Sequence, residues 1–170
     1  MFARTKRLTL RPGWPEEAEA LHDAIAHEAV VMRLARAPWP YALEHAADFL
    51  ASPRGPEEPR FLIFAHDGAA PRLVGGVALE PSGEGGGTLG YWLTPSAWGR
   101  GYATEAAAMT LEIAREAFRY RHVEATHHLD NPASRRVLEK LGFAEVRRES
   151  QMSLGQGRSV DCAVMARALA

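Results

Sequence analysis

The feature that most limits what this chain can fold into is a run of 31 residues, "TLGYWLTPSAWGRGYATEAAAMTLEIAREAF", from Thr88 to Phe118. It begins as a short apolar strand, breaks at Gly99 and Gly101, and continues as an alanine-rich segment. There Ala103, Ala107, Leu111, Ala114 and Phe118 recur at helical spacing. This spacing predicts the longest helix of the protein, from Tyr102 to about Arg119. "HVEATHH" (122–128) follows as a strand, "NPASRRVLEKLGF" (131–143) as a helix and "RSVDCAVMARA" (158–168) as a closing strand. The second half therefore reads β-α-β-α-β.

The first half has a different grammar. "RLTLRP" (7–12) alternates and stops at a proline, and "EEAEALHDAIAHEAVVMRL" (16–34) carries Ala20, Leu21, Ala24, Ile25 and Val31 at helical spacing. A second short helix is predicted over 43–50. "RFLIFAH" (60–66), "RLVGGVALE" (72–80) and "TLGYWL" (88–93) are three strands with glycine-containing connections, as in an antiparallel meander. Joined to the second half, this gives an α/β (α+β mixed) domain spanning 1–170. Its mixed, mostly antiparallel sheet would have about six to seven strands and be flanked by about four helices.

Composition narrows the function classes. With 46% hydrophobic and 24% charged residues in 170, one domain with a substantial core is expected. The 20 basic and 21 acidic residues nearly cancel, which argues against a nucleic-acid partner. Cys162 is the sole cysteine, so an internal disulfide and a multi-cysteine metal site are excluded, and no metal is expected. No signal-peptide core or membrane span is read, and the expectation is a cytoplasmic protein, monomer or homodimer, with no membrane partner.

A strand, a tight loop and a helix N-terminus make an anion site, because unpaired N–H groups and the positive end of the helix dipole converge there. Gly99 and Gly101 let backbone approach a phosphate without an intervening Cβ. A Walker A string is absent. A dinucleotide fingerprint would need glycine where Thr104 stands; with Asp130 as a late ribose ligand, nicotinamide-dinucleotide binding remains an alternative.

"YWLTPSAWGRGYATEA" followed by "NPASRRVLEKLGF" resembles the GCN5-related N-acetyltransferase superfamily, in particular its branch that acetylates ribosomal-protein N-termini; "TKRLTLRP" and "GRSVDCAVMA" are similar to that branch's first and last strands. The resemblance implies transfer from acetyl-CoA to a primary amine, on a small molecule or a protein N-terminus, by direct attack. It implies a pyrophosphate seat at Trp98, Gly99, Arg100, Gly101, Tyr102, Ala103 and Thr104. Trp98 stands where the superfamily usually has Gln or Arg. Pantetheine would lie beside Trp92 and Leu93, with Asn131 and Ser134 also contacting the cofactor. Asn131 is equally a helix cap before Pro132.

The superfamily's usual proton donor to the leaving thiolate, a tyrosine seven residues after the asparagine, is replaced by Leu138. The branch's serine is present as Ser134, which is also suited to capping. The frequent glutamate base is replaced by Thr88, leaving Glu80 as a candidate that acts through water. Trp39, Tyr41 and His128 are candidate acceptor-binding residues. An α-amine near pKa 7.8 is ~15% neutral at pH 7 and a lysine ~0.04%, a handicap of ~3.5 kcal/mol, so a site without a strong base suits low-pKa amines. Because two usual catalytic positions differ, a non-catalytic acyl-CoA-binding module is the other alternative.

Overall fold

A computed structural model describes residues 1–169. Eight strands form one sheet in the order β1-β2-β3-β4-β5-β6-β8-β7. They are β1 (Ala3–Arg4), β2 (Leu8–Arg11), β3 (Arg60–Ala65), β4 (Arg72–Pro81), β5 (Gly86–Leu93), β6 (His122–His128), β7 (Ala144–Ser153) and β8 (Arg158–Ala168). The helices are α1 (Ala18–Ile25), α2 (Glu28–Val31), α3 (Leu43–Ala51), α4 (Tyr102–Phe118) and α5 (Pro132–Lys140). Every neighbouring pair is antiparallel except β5 with β6.

Side chains alternate across the sheet, so each strand feeds two cores. Phe61, Ile63, Val77, Leu79 and Leu89 pack with Ala106, Ala107, Leu111 and Ala114 of α4 and Leu138 of α5. Leu62 faces the other way, against Leu21 and Ile25 of α1, Val30 and Val31 of α2 and Ala46 of α3. The alanines of α4 let that helix lie close against the sheet.

Three differences from the sequence reading have physical causes. The helix expected across 16–34 is broken at Ala26 and His27, which leave helical geometry between α1 and α2. At about 100° per residue, Val30 would sit about 140° around a continuous helix from Ile25, off the buried stripe. The break rephases the chain so that Val30 and Val31 are both buried. Strand β7 was missed because Glu145, Arg147, Arg148 and Glu149 hide its pattern, and its register shifts between Glu145 and Arg147. It is the charged outer strand of the sheet, as protection of an open edge requires. Strand β1, of two residues, is too short to leave a pattern.

The feature that positions the site is a slot in the middle of the sheet. The β5–β6 ladder runs only from Gly86↔His122 to Leu89↔Ala125. Strand β5 stays on β4 as far as Leu93↔Gly75, and β6 stays on β8 as far as His128↔Cys162. Gly90–Leu93 and Thr126–His128 therefore keep their outer partners and lose each other. The slot opens at the carboxyl ends of parallel strands, where ligands of α/β sheets commonly bind.

Close approach of β4 and β5 beside the slot depends on Gly75. A Cβ there would sit 2.2 Å from the Trp92 carbonyl oxygen, whereas one at Gly90 would meet nothing within 4 Å. Gly75→Ala should destabilise the fold by roughly 1–3 kcal/mol. Gly90→Ala should stay within about 0.5 kcal/mol. Urea denaturation of the two variants checks this, and equal midpoints would contradict it.

The N-terminal strands are tied to α4 by Glu105. Its carboxylate accepts from the Thr5 hydroxyl (2.6 Å), the Arg7 N–H (2.9 Å) and the Arg7 guanidinium (2.7 Å). Burial pushes its pKa up, but the Thr5 and Arg7 hydrogen bonds outweigh that and hold it below its usual 4.5. A carboxyl depressed in the folded state contributes stability above its unfolded pKa and loses it as pH falls through the folded one. Glu105→Gln should therefore be less stable than the parent at pH 7, with the gap closing as pH falls below about 4.5; a constant gap in denaturant midpoints would refute this.

Candidate active site

Main-chain groups along β5 determine what the slot offers. The Thr94 N–H donates to the Val74 carbonyl on the β4 side (2.8 Å). Strand residues alternate, so Trp92 also directs its main chain toward β4, whereas Leu93 and Tyr91 direct theirs toward β6, beyond the end of that ladder. The Leu93 carbonyl accepts from the Trp98 indole N–H (2.9 Å). The Leu93 N–H and the Tyr91 main chain remain, a short unpaired edge that an extended, amide-bearing guest can extend as a strand does.

The glycine loop lies at the mouth of this slot. Gly99 (φ 74°) and Gly101 (φ 79°) are left-handed, a conformation costly for other residues, and Gly101 is the N-cap of α4. Lacking a side chain, Gly101 caps nothing, and the first helical bond is Glu105 N–H to the Gly101 carbonyl. The N–H groups of Tyr102, Ala103 and Thr104 thus precede any intrahelical partner, at the positive end of a 17-residue helix. A bound phosphate would satisfy them.

The loop is braced from outside. Asp67 accepts from Arg72 (2.8 Å), Arg100 (3.2 Å) and the hydroxyl of buried Tyr102 (3.2 Å). Its carboxyl is held below the usual range chiefly by the Arg72 hydrogen bond. Arg7 donates to the Arg100 carbonyl (2.7 Å). Trp98 is half exposed and fastened to Leu93, so it braces the loop against the end of β5. None of Arg7, Asp67, Arg72 or Glu105 stood out in the sequence, because their pairings join segments up to 100 residues apart.

Across the slot, the Asn131 side-chain oxygen accepts the Ser134 N–H (3.3 Å), so the capping role is present. Its amide nitrogen has no protein partner among the described residues. Ser134 Oγ lies 2.8 Å from the Tyr91 hydroxyl, which also has the Ser134 carbonyl within reach as a second acceptor (3.2 Å). Burial pushes the Tyr91 phenol up to about 12, against the opposing Ser134 bond. Sequence reasoning took Tyr91 only as a strand residue; its alternation with Leu89 was the available signal, since it places Tyr91 on the α4–α5 face.

The opposite face is the candidate acceptor side. Glu80↔Thr88 and Thr88↔Glu124 are register partners, so Glu80, Thr88 and Glu124 form a row across β4, β5 and β6. Arg36 pairs with Glu80, and Arg147 grips Glu124 through two bonds (2.8 and 2.9 Å). The Arg147 hydrogen bond is the main reason that Glu124 stays below the usual carboxylate range. Trp92 lies over bare Gly76 on this face, so its indole points away from the α4–α5 side of the slot. The β7–β8 turn is clasped to the chain after α2. Leu154 N–H donates to Ala35 O (2.9 Å) and Gln156 Nε2 to Met32 O (2.8 Å).

His128 lies on this acceptor face and His127 on the Tyr91 face; both are buried. His127 Nδ1 donates to the His128 carbonyl (2.8 Å), which leaves its Nε2 without a partner, and His128 Nδ1 has none either. Burial pushes the His128 imidazole below its usual pKa, with Asp130 opposing. Trp39 is exposed in the loop before α3, but Tyr41 is in the core beside His22 and His45.

An unpaired strand edge, a phosphate-sized nest and orphaned buried nitrogens fit a ligand carrying both an extended amide chain and a phosphate group, as coenzyme A does. The fold has solved counterparts. An acetyltransferase of the GNAT family from Bacillus anthracis superposes with a TM-score of 0.86 at 23% identity, covering 99% of both chains. RimL, a ribosomal L7/L12 alpha-N-protein acetyltransferase solved with coenzyme A, gives 0.81 at 18% identity, covering 99% of this chain and 98% of its own. RimJ from Mycobacterium smegmatis, solved with CoA-disulfide, gives 0.78 at 25% identity, covering 95% and 81%. No match was found among curated proteins. Residues 7–144 match the Acetyltransferase (GNAT) domain, and the chain thus belongs to the GNAT family of acetyltransferases, whose acetyl donor is acetyl-CoA.

Proposed function

We propose that this enzyme acetylates an α-amine, or another amine of comparably low pKa, in preference to a lysine side chain. The observation that carries the reading is the state of the acceptor-side carboxylates. Glu80 and Glu124 are both held by arginines, and Thr88 stands between them. Glu124, gripped by Arg147, is held below the usual carboxylate range and is a weak base. His128, kept neutral by burial, adds only modest basicity. The site therefore draws on the fraction of acceptor that is already neutral, which is ~15% for an α-amine at pH 7 and ~0.04% for lysine. RimL, an alpha-N-protein acetyltransferase, supports the same acceptor class.

In this reading the glycine loop and the first turn of α4 hold the pyrophosphate, and the edge of β5 aligns the pantetheine amides. Acetyl-CoA supplies an activated acyl group on a good leaving sulfur. The Leu93 N–H steadies negative charge on the acyl oxygen, Asn131 uses its free amide to orient the donor, and Ser134 delivers a proton to the departing sulfur. Glu80, paired with Arg36, contributes charge near the acceptor.

Two outcomes follow. Turnover of a peptide with a free N-terminus should exceed that of an N-blocked lysine peptide by ~100-fold or more at pH 7, and should rise with pH until about 8; preference for the lysine peptide would overturn the acceptor assignment. In calorimetry, acetyl-CoA should bind the parent and NAD should not. Gly101→Val, which forces a branched side chain into a left-handed position, should weaken acetyl-CoA binding at least ~10-fold; equal affinity would remove the loop from the cofactor site.

A further inference from the structure

We propose that Tyr91 is a positioning residue for the leaving-group step, its hydroxyl fixing Ser134 Oγ so that the serine proton faces the slot. The inference rests on the role given to Ser134 above and adds a second residue to it. Tyr91 has one hydroxyl proton and two acceptors within reach, Ser134 Oγ at 2.8 Å and the Ser134 carbonyl at 3.2 Å. The carbonyl lies within α5, where the next turn supplies its own N–H. The shorter contact, to Oγ, is the one that frees the serine proton. Without Tyr91, a helix serine turns its hydroxyl back onto a carbonyl of the preceding turn and is withdrawn from the slot.

The transfer balances as follows. The acceptor nitrogen bonds to the acetyl carbon as the carbon–sulfur bond breaks, and the bonding pair leaves on sulfur. The nitrogen releases one proton to solvent, Ser134 gives one to sulfur, and solvent restores the serine. Tyr91 ends the cycle protonated, as a phenol pushed up to about 12 by burial does near neutral pH, and it holds Oγ through the 2.8 Å contact while the serine proton is exchanged. Its bond to Oγ strengthens as that oxygen loses its proton, so it acts on the transition state more than on the bound substrates.

Steady-state kinetics of Tyr91→Phe, Ser134→Ala and the double variant, with acetyl-CoA and a free N-terminal peptide, test the inference. Tyr91→Phe should lower kcat on the order of 10- to 100-fold, with KM for acetyl-CoA and Tm near parental values. In the Ser134→Ala background the same change should cost less than about 2-fold. A parental kcat in Tyr91→Phe, an equal loss in both backgrounds, or a raised KM with lowered Tm would overturn the positioning role. A parental kcat in Ser134→Ala would overturn the role of Ser134 itself, which the separate single variants distinguish. If Tyr91→Phe fails to fold, 3-fluorotyrosine at position 91 keeps the ring and lowers the phenol pKa. The alkaline decline of kcat should then move to lower pH, and an unmoved profile would refute the proposal.

Discussion

The site depends on the parting of β5 and β6 after Leu89 and Ala125. A sheet does not ordinarily leave main-chain groups unpaired in its interior, because each one removed from water without a partner costs free energy. Here the cost is limited by geometry. Both strands keep their outer ladders to the end, so only the inner edges of Gly90–Leu93 and Thr126–His128 are exposed. Those edges face a gap that a ligand can fill, and the Leu93 carbonyl is already satisfied by Trp98. Above the slot, the Tyr91 side chain reaches α5 at Ser134.

Preorganisation of the glycine loop follows from the same economy. Two left-handed glycines and an uncapped helix end would be a mobile segment in isolation, and ordering it at the moment of binding would consume binding energy. Asp67 and Glu105 do that ordering during folding. Asp67 gathers Arg72, Arg100 and Tyr102, while Glu105 holds Thr5 and Arg7, and Arg7 in turn grips the Arg100 carbonyl. The loop's N–H groups are then directed outward by contacts that none of them makes. The exposed pairs contribute little to stability individually, and their main effect is to fix conformation.

This division explains what could be read from the sequence. Elements whose burial is periodic were legible to within a few residues: α4 from its alanine stripe, β6 and β8 from their apolar alternation, and Gly99 and Gly101 from the strand-to-helix punctuation. The second core was harder, because Val30 and Val31 reach it only through a break that no local residue type announces. Strand β7 was hidden by charge that serves an exposed edge. In the site, Asn131 and Ser134 carry their capping signature in four consecutive residues, whereas Tyr91 meets Ser134 across 43 positions. Pairings of that separation are properties of the topology. Tyr41, from the proline-rich loop, is buried with its ring beside those of His22 and His45, contacts that join it to residues 19 and 4 positions away.

If the acceptor binds on the face of Glu80, Thr88 and Glu124, as proposed, the question is why two carboxylates there are both paired with arginines. A free carboxylate row would attract ammonium ions and stabilise the protonated amine, which is the unreactive form. The pairing of Glu124 with Arg147 offsets that attraction, and Arg36 beside Glu80 adds a second positive charge to the row. The neutral His128 and the uncharged Thr88 continue the same logic, offering hydrogen bonds without a field that favours the cation. An amine with pKa near 8 gains from such a site because little of its proton affinity has to be overcome, whereas lysine would still have to lose a proton held about 2.6 units more tightly. On this argument selectivity arises from what the site declines to stabilise, so a wide range of α-amines can be admitted without a pocket shaped for any one of them.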